Sequence, residues 1–186
     1  VTLYDENGNE SESGTGYLRN EQIPTTQANE GYGSGSWSPA KPTVNYAIKG
    51  ATEFVVTYTP QERTVTVTYS DDNGKALQDA VTLNTSYNSS YDVSGQIYEF
   101  LDIDGHHYIK ESVTGEVSGT VTSNVTVDVV YTLDDKGDNG PDGTADKYQV
   151  EVTYQAVNGT VSFNGPKYVT LYDENGNESE SGTGYL

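Results

Sequence analysis

Three groups of residues in this chain carry side chains that could do chemistry. The first is the acidic run DDKGDNGPDGTAD at 134–146, where Asp138, Asp142, Gly143 and Asp146 fit the spacing D-x-x-x-D-G-x-x-D. Calcium is bound by several oxygens from a loop that a glycine allows to fold tightly. Asp138, Asp142 and Asp146 are therefore candidate calcium ligands. Two departures weigh against that reading: Gly140 stands where a further ligand belongs, and Gln149 where a bidentate acid would help. The glycine content suits a flexible, metal-free acidic linker equally well. A calcium ion here would stiffen a joint, and extracellular modules bind it at ~10⁻⁴–10⁻³ M. No other cofactor is expected. The second group is Trp37, the only tryptophan, with Tyr32 in the stretch GYGSGSWSP at 31–39. Aromatic faces on a loop stack on sugars, which makes Trp37 and Tyr32 candidate glycan contacts. A lone Trp in a small domain also anchors cores, and both readings stand. The third group is the adjacent pair His106 and His107. Neighbours on a strand face opposite sides, so the pair does not readily share a metal or a substrate.

The rest of the catalytic inventory is thin. No Gly-x-Ser-x-Gly elbow occurs in a strand–turn–helix context, and GSGSW at 33–37 lacks the phosphate-holding Lys of a P-loop. Asp and Glu are scattered through turns, and nothing favours a paired-carboxylate hydrolase. The seven Lys sit in no evident isopeptide signature. No catalytic residue is assigned, and the chain is not expected to be an enzyme.

The positioning elements read as strands. Four segments share one pattern: FVVTY at 54–58, VTVTY at 65–69, VDVVY at 127–131 and VEVTY at 150–154. Apolar and polar residues alternate, which gives a strand one buried face. Tyr, at 16 residues, and the abundant Val and Thr suit a pleated, half-buried surface. Asn-Gly pairs at 7–8, 73–74, 158–159, 164–165 and 175–176 mark tight turns. No segment holds a 3.6-residue apolar period, so the fold class is mainly β with little helix.

Composition excludes some partners. The net charge is −19, which repels phosphate backbones and anionic lipid, so neither nucleic acid nor membrane insertion is expected. No apolar run approaches the ~18 residues that span a bilayer. The chain has no Cys and no Met, hence no disulfides and no thiolate chemistry.

The strongest organisational signal is a repeat. VTLYDENGNESESGTGYL occupies 1–18 and recurs unchanged at 169–186, an offset of 168 residues. A tandem array of that period is the simplest source. Its patterned strands bracket two modules per repeat, arranged end to end. Residues 62–133 form one complete module. Residues 134–146 form an acidic Gly/Asp linker. Residues 147–186 begin a second module, whose remainder corresponds to residues 1–61, a part that lacks its first strand. The halves 1–61 and 147–186 are thus expected to close on each other or to exchange strands between copies. The short connector TPQE at 59–62, with Pro60 fixing one φ, reads as a stiff joint.

The complete module resembles the MucBP (mucin-binding protein) repeat domain. The likeness is carried by VTVTYSDDNGKAL at 65–77, VTLNTSYNSSYDV at 81–93 and EVSGTVTSNVTVDVVYT at 116–132. The other module is similar in style to SHIRT domains and internalin B-repeats, through DKYQVEVTYQAVNGTVS at 146–162 and GSWSPAKPT at 35–43. The acidic run is similar in spacing to thrombospondin type 3 and dockerin-like calcium loops. These resemblances imply β-grasp-like modules, with the first and last strands parallel neighbours at the sheet centre. Tyr87, Tyr91, Tyr98 and Tyr108 are expected to pack that module. They further imply an extracellular, cell-wall-anchored surface protein of a Gram-positive bacterium. Its repeats would act as a stalk projecting an adhesive head, their partners being the neighbouring repeats of the same chain. Weak contact with host mucin or glycans would gain strength from many copies. The alternative function is a true mucin or glycan receptor module.

Overall fold

The computed structural model describes residues 5, 7–10, 16–48, 52–162 and 167–184. The Asn-Gly pair at 164–165 and most of the strand-like start of the first 18-residue copy lie outside the described residues. The chain divides into two compact units, Val1–Arg63 with Ser86–Asn88, and Thr64–Thr85 with Ser89–Leu186.

Among the described residues the first unit holds four strands, β1 (Gly16–Tyr17), β2 (Tyr32–Ser38), β3 (Ala47–Ile48) and β4 (Val55–Pro60). They form two antiparallel pairs, β1 with β3 and β2 with β4. A register shift between Tyr32 and Gly35 resets which face β2 presents, and Trp37 ends up opposite Val56. Leu18 and Ile48 are buried here, and Tyr46 meets Phe54 edge to face. Tyr87 packs in this unit, its ring 5.6 Å from that of Tyr32. The sequence places Tyr87 with the other module; its backbone N–H donating to Gln61 O at 2.8 Å ties it here instead.

The second unit is built on β5 (Glu62–Asp71), β6 (Val81–Ser86), β7 (Ser90–Asp92), β8 (Phe100–Ile103), β9 (His106–Thr114), β10 (Ser118–Thr120) and β11 (Val125–Leu133). Five of these make one sheet in the order β6-β5-β11-β9-β8, while β7 and β10 form a small separate ladder. Alternation explains the core. Val65, Val67 and Tyr69 of β5 and Val127, Val129 and Tyr131 of β11 are at most 1% exposed. Tyr91, Val93, Leu101 and Val121 close over them, with Tyr108 packed alongside. The first and last strands pair in parallel, from Val65↔Val125 to Asp71↔Tyr131. A parallel pair needs a long crossover, and residues 72–124 supply it with the outer strands rather than with an α-helix.

A single turn recurs at three places. Asp71 Oδ1 accepts the backbone N–H of Asn73 at 3.0 Å and Lys75 at 2.8 Å, and Gly74 sits at φ +82°. Asp173 does the same for Asn175 and Asn177, with Gly176 at φ +83°, and Asp5 for Asn7 and Asn9, with Gly8 at φ +84°. The carboxylate satisfies amides that have no ladder partner, and glycine takes the left-handed position without a Cβ clash. The two 18-residue copies therefore fold alike at this turn, and both share it with the turn after β5.

The remaining strands of the second unit, β12 (Gln149–Val152) and β13 (Lys167–Thr170), form an antiparallel pair. The ladder stops at Val152, two residues before the end of the alternating pattern.

Candidate functional site

The acidic loop is anchored by its own carboxylates. Asp134 has no exposed surface; its Oδ1 accepts the N–H of Asp142 at 3.2 Å and its Oδ2 that of Gly143 at 2.9 Å. Its N–H donates to His107 O on β9. Burial pushes the Asp134 carboxyl above its ordinary value, against the pull of those two amides. Asp135 takes the opposite direction. Desolvation raises it, but hydrogen bonds from the His106 ring and the His107 N–H outweigh that and hold it low. The distances are 2.5 Å from His106 Nδ1 to Oδ2 and 2.7 Å from His107 N to Oδ1. His107 Nδ1 meets Asp102 at 2.7 Å, so the two histidines serve different aspartates.

The three aspartates singled out by spacing each have other partners. Asp146 Oδ1 accepts the backbone N–H groups of Asp135 and Lys136, each at 2.9 Å. Asp142 accepts Thr144 N–H at 3.0 Å and Gln149 Nε2 at 2.9 Å. Asp138 pairs with the Lys167 ammonium and accepts Tyr168 N–H at 3.3 Å. Among the described residues no three His, Asp or Glu side chains gather as a metal would require. Sequence spacing counts oxygens and does not reveal which amides they serve, and here the loop's own amides and a lysine use them.

Lys147 closes the same region. Its Nζ lies 2.5 Å from Glu111 Oε1 and 3.4 Å from Asp72 Oδ2, and 5.2 Å from the centre of the Tyr148 ring. Desolvation lowers the Lys147 ammonium, yet Glu111 and Asp72 outweigh it and the net shift is upward. Sequence reasoning missed this cluster because its members lie far apart along the chain.

Trp37 and Tyr32 are separated by what they touch. Trp37 lines an apolar cavity of about 310 Å³ with Leu18, Ile48, Phe54 and Val56, and Tyr32 is not part of its lining. Tyr32 faces Tyr87. The hydroxyl of Tyr58 on β4 is buried with no hydrogen-bond partner among the described residues. On the other unit, Val150, Tyr154, Val157 and Tyr172 are exposed by 40% or more.

Three tyrosines of the core around the five-stranded sheet are structural. Tyr69 OH donates to Gln96 O, Tyr91 OH to Glu116 O and Tyr131 OH to Tyr98 O, each at 2.9 Å. A buried phenol needs such an acceptor; the Tyr69 and Tyr131 bonds tie the crossover to the central strands, and the Tyr91 bond ties two parts of the crossover together.

Residues 64–132 match the family model of the MucBP domain. The matched stretch runs from β5 to β11, the parallel pair that opens and closes the five-stranded sheet. No curated protein matches the chain. Among the described residues, no helix is long and apolar enough to cross a membrane.

Proposed function

We propose that this chain is a repeat unit of a bacterial surface adhesin, and that its work is to extend and carry load. The observation that carries this reading is the parallel pairing of β5 with β11 inside the segment that matches MucBP. Parallel neighbours bring the chain in at one end of the sheet and out at the other. Tension between Glu62 and Leu133 therefore runs along the ladder from Val65↔Val125 to Asp71↔Tyr131, which must shear as a unit. An antiparallel terminal pair would instead unzip one bond at a time. The identical 18-residue copies, with the same aspartate-capped turn in each, support many such modules in series. An extracellular, cell-wall-anchored position on a Gram-positive bacterium fits this role and the absence of Cys.

Single-molecule pulling tests the mechanical role. Attachment at residues 62 and 133 should give a rupture force several-fold above attachment at 62 and 86, which peels β6 from β5. Equal forces would remove the load-bearing claim.

The MucBP match also favours a second reading, a mucin or glycan receptor module of low affinity per copy. Its test is a glycan array probed with a multi-repeat chain; retention on mucin-type glycans supports it, and no retention at any density counts against it.

A further inference from the structure

The acidic run 134–146 has the composition of a spacer and the contacts of a strap. It holds five Asp and three Gly in thirteen residues. Like charges at that density repel, and the glycines add freedom, so a free segment of this kind stays extended. Here the segment is folded. Asp134 and Ala145, near its two ends, are 0% and 3% exposed. Gly137 sits at φ +145°, and a Cβ there would lie 2.0 Å from Gly140 O. The chain doubles back at that point more tightly than a larger residue allows.

The strap is fastened along its length to other parts of the same compact unit. At its start, Asp134 N–H donates to His107 O, and Asp135 holds the His106 ring and the His107 N–H, all on β9. In the middle, Asp138 pairs with the Lys167 ammonium and accepts Tyr168 N–H, both on β13. At its end, Lys147 reaches Glu111 on β9 at 2.5 Å and Asp72, just beyond β5, at 3.4 Å. Thr132 of β11 also donates to Asp72 Oδ2, at 3.3 Å. The Lys147 cluster is thus anchored on or beside three strands of the five-stranded sheet. An isolated exposed ion pair contributes little. This one is a partly buried network, with the Lys147 side chain 20% exposed and the Tyr148 ring 5.2 Å from its ammonium.

We infer that residues 134–147 form a strap that holds the β12–β13 ladder to the five-stranded sheet without a metal ion, and that Lys147 is its clasp. Lysine ammonium groups supply the cations. Asp134 and Asp146 close the bends by accepting backbone N–H groups. The load-carrying reading gives the strap its use. With the clasp closed, tension leaving β11 reaches β12 across the Lys147 ion pairs. With it open, thirteen residues come free, and at ~3.5 Å each they lengthen the joint to as much as about 45 Å. The inference rests on that reading only for this use, not for the fastening itself.

Amide exchange, followed residue by residue on the full chain, tests the strap. In the parent, the N–H groups of Asp135, Lys136, Asp142 and Gly143 should exchange roughly ten-fold or more slowly than in an unstructured chain. Lys147→Met should speed them at least five-fold, while Val127 and Val129 on β11 keep their parent rates. Lys147→Arg, which keeps the charge, should restore most of the protection. Glu111→Gln should act in the same direction as Lys147→Met, and combining the two should speed exchange no further. Calcium at ~1 mM, enough to load extracellular modules, should leave the parent rates unchanged. Exchange at the unstructured rate in the parent overturns the strap. Parent rates in Lys147→Met overturn the clasp. Marked slowing by calcium overturns the metal-free fastening. None of these outcomes bears on the shearing of β5 from β11 between residues 62 and 133, so the strap and the load-carrying reading fail separately.

Discussion

Val67 and Val127 stand opposite each other across the parallel pair at the sheet centre, and neither has any exposed surface. Their contact joins the strand that opens the module to the strand that closes it. At ~0.8 kcal/mol per buried CH₂, plus a cavity contribution, Val127→Ala should cost about 2–3 kcal/mol. Thr126→Ala, on the exposed face of the same strand, should change stability by less than about 0.5 kcal/mol. Urea denaturation of the two variants checks the difference. Equal midpoints would mean that the central pair is not the core.

Tyr131 predicts an alkaline transition. Burial raises its phenol to about 12. A group whose folded value lies above its unfolded value of 10.0 contributes stability that is complete below that value and is lost as pH rises towards 12. Stability should therefore fall between about pH 10 and 12, while tyrosinate absorbance rises. Tyr131→Phe should remove part of that pH dependence and cost about 1–3 kcal/mol at neutral pH, because Tyr98 O loses its donor. Ionisation of Tyr131 well below pH 10 would contradict this.

Asp134 and Asp135 are adjacent and respond to acid with opposite sign. Asp135 is held below its ordinary 3.8, so its contribution is present above that value and lost as pH falls through the lower folded one. Asp134 is raised, so its ionised form is a burden that disappears on acidification. Asp135→Asn should lose less stability than the parent between pH 5 and pH 3. Asp134→Asn should be destabilised at neutral pH, since an amide accepts from only one of the Asp142 and Gly143 N–H groups. Denaturation curves at the two pH values test both.

The turn glycine at position 74 separates backbone strain from crowding. A Cβ there would meet nothing within 4 Å, yet the residue sits at φ +82°. Gly74→Ala should cost about 1 kcal/mol from the left-handed conformation alone, and Gly74→Asn less. No loss in Gly74→Ala would show that the turn relaxes.

The strands were readable because alternation is a one-dimensional signal. Val65, Val67 and Tyr69, and Val127, Val129 and Tyr131, announce a buried face wherever they pair. The mainly β fold followed from that and from the Asn-Gly turns. Partner choice was less legible. Asp138, Asp142 and Asp146 have a ligand-like spacing, but that spacing does not show that the loop's own amides, the Gln149 side chain and the distant Lys167 ammonium use their oxygens. Trp37 and Tyr32 lie close in sequence, yet the register shift in β2 and the approach of Tyr87 direct them to different neighbours. The shared aspartate turn was visible as D-x-N-G at residues 5, 71 and 173; its equivalence emerges only from the matching hydrogen bonds.

Small-angle scattering on chains of one, two and three repeats tests the central claim most directly. A stalk predicts a radius of gyration that grows nearly in proportion to repeat number. A radius that follows the roughly N^0.38 growth of compact domains would contradict it.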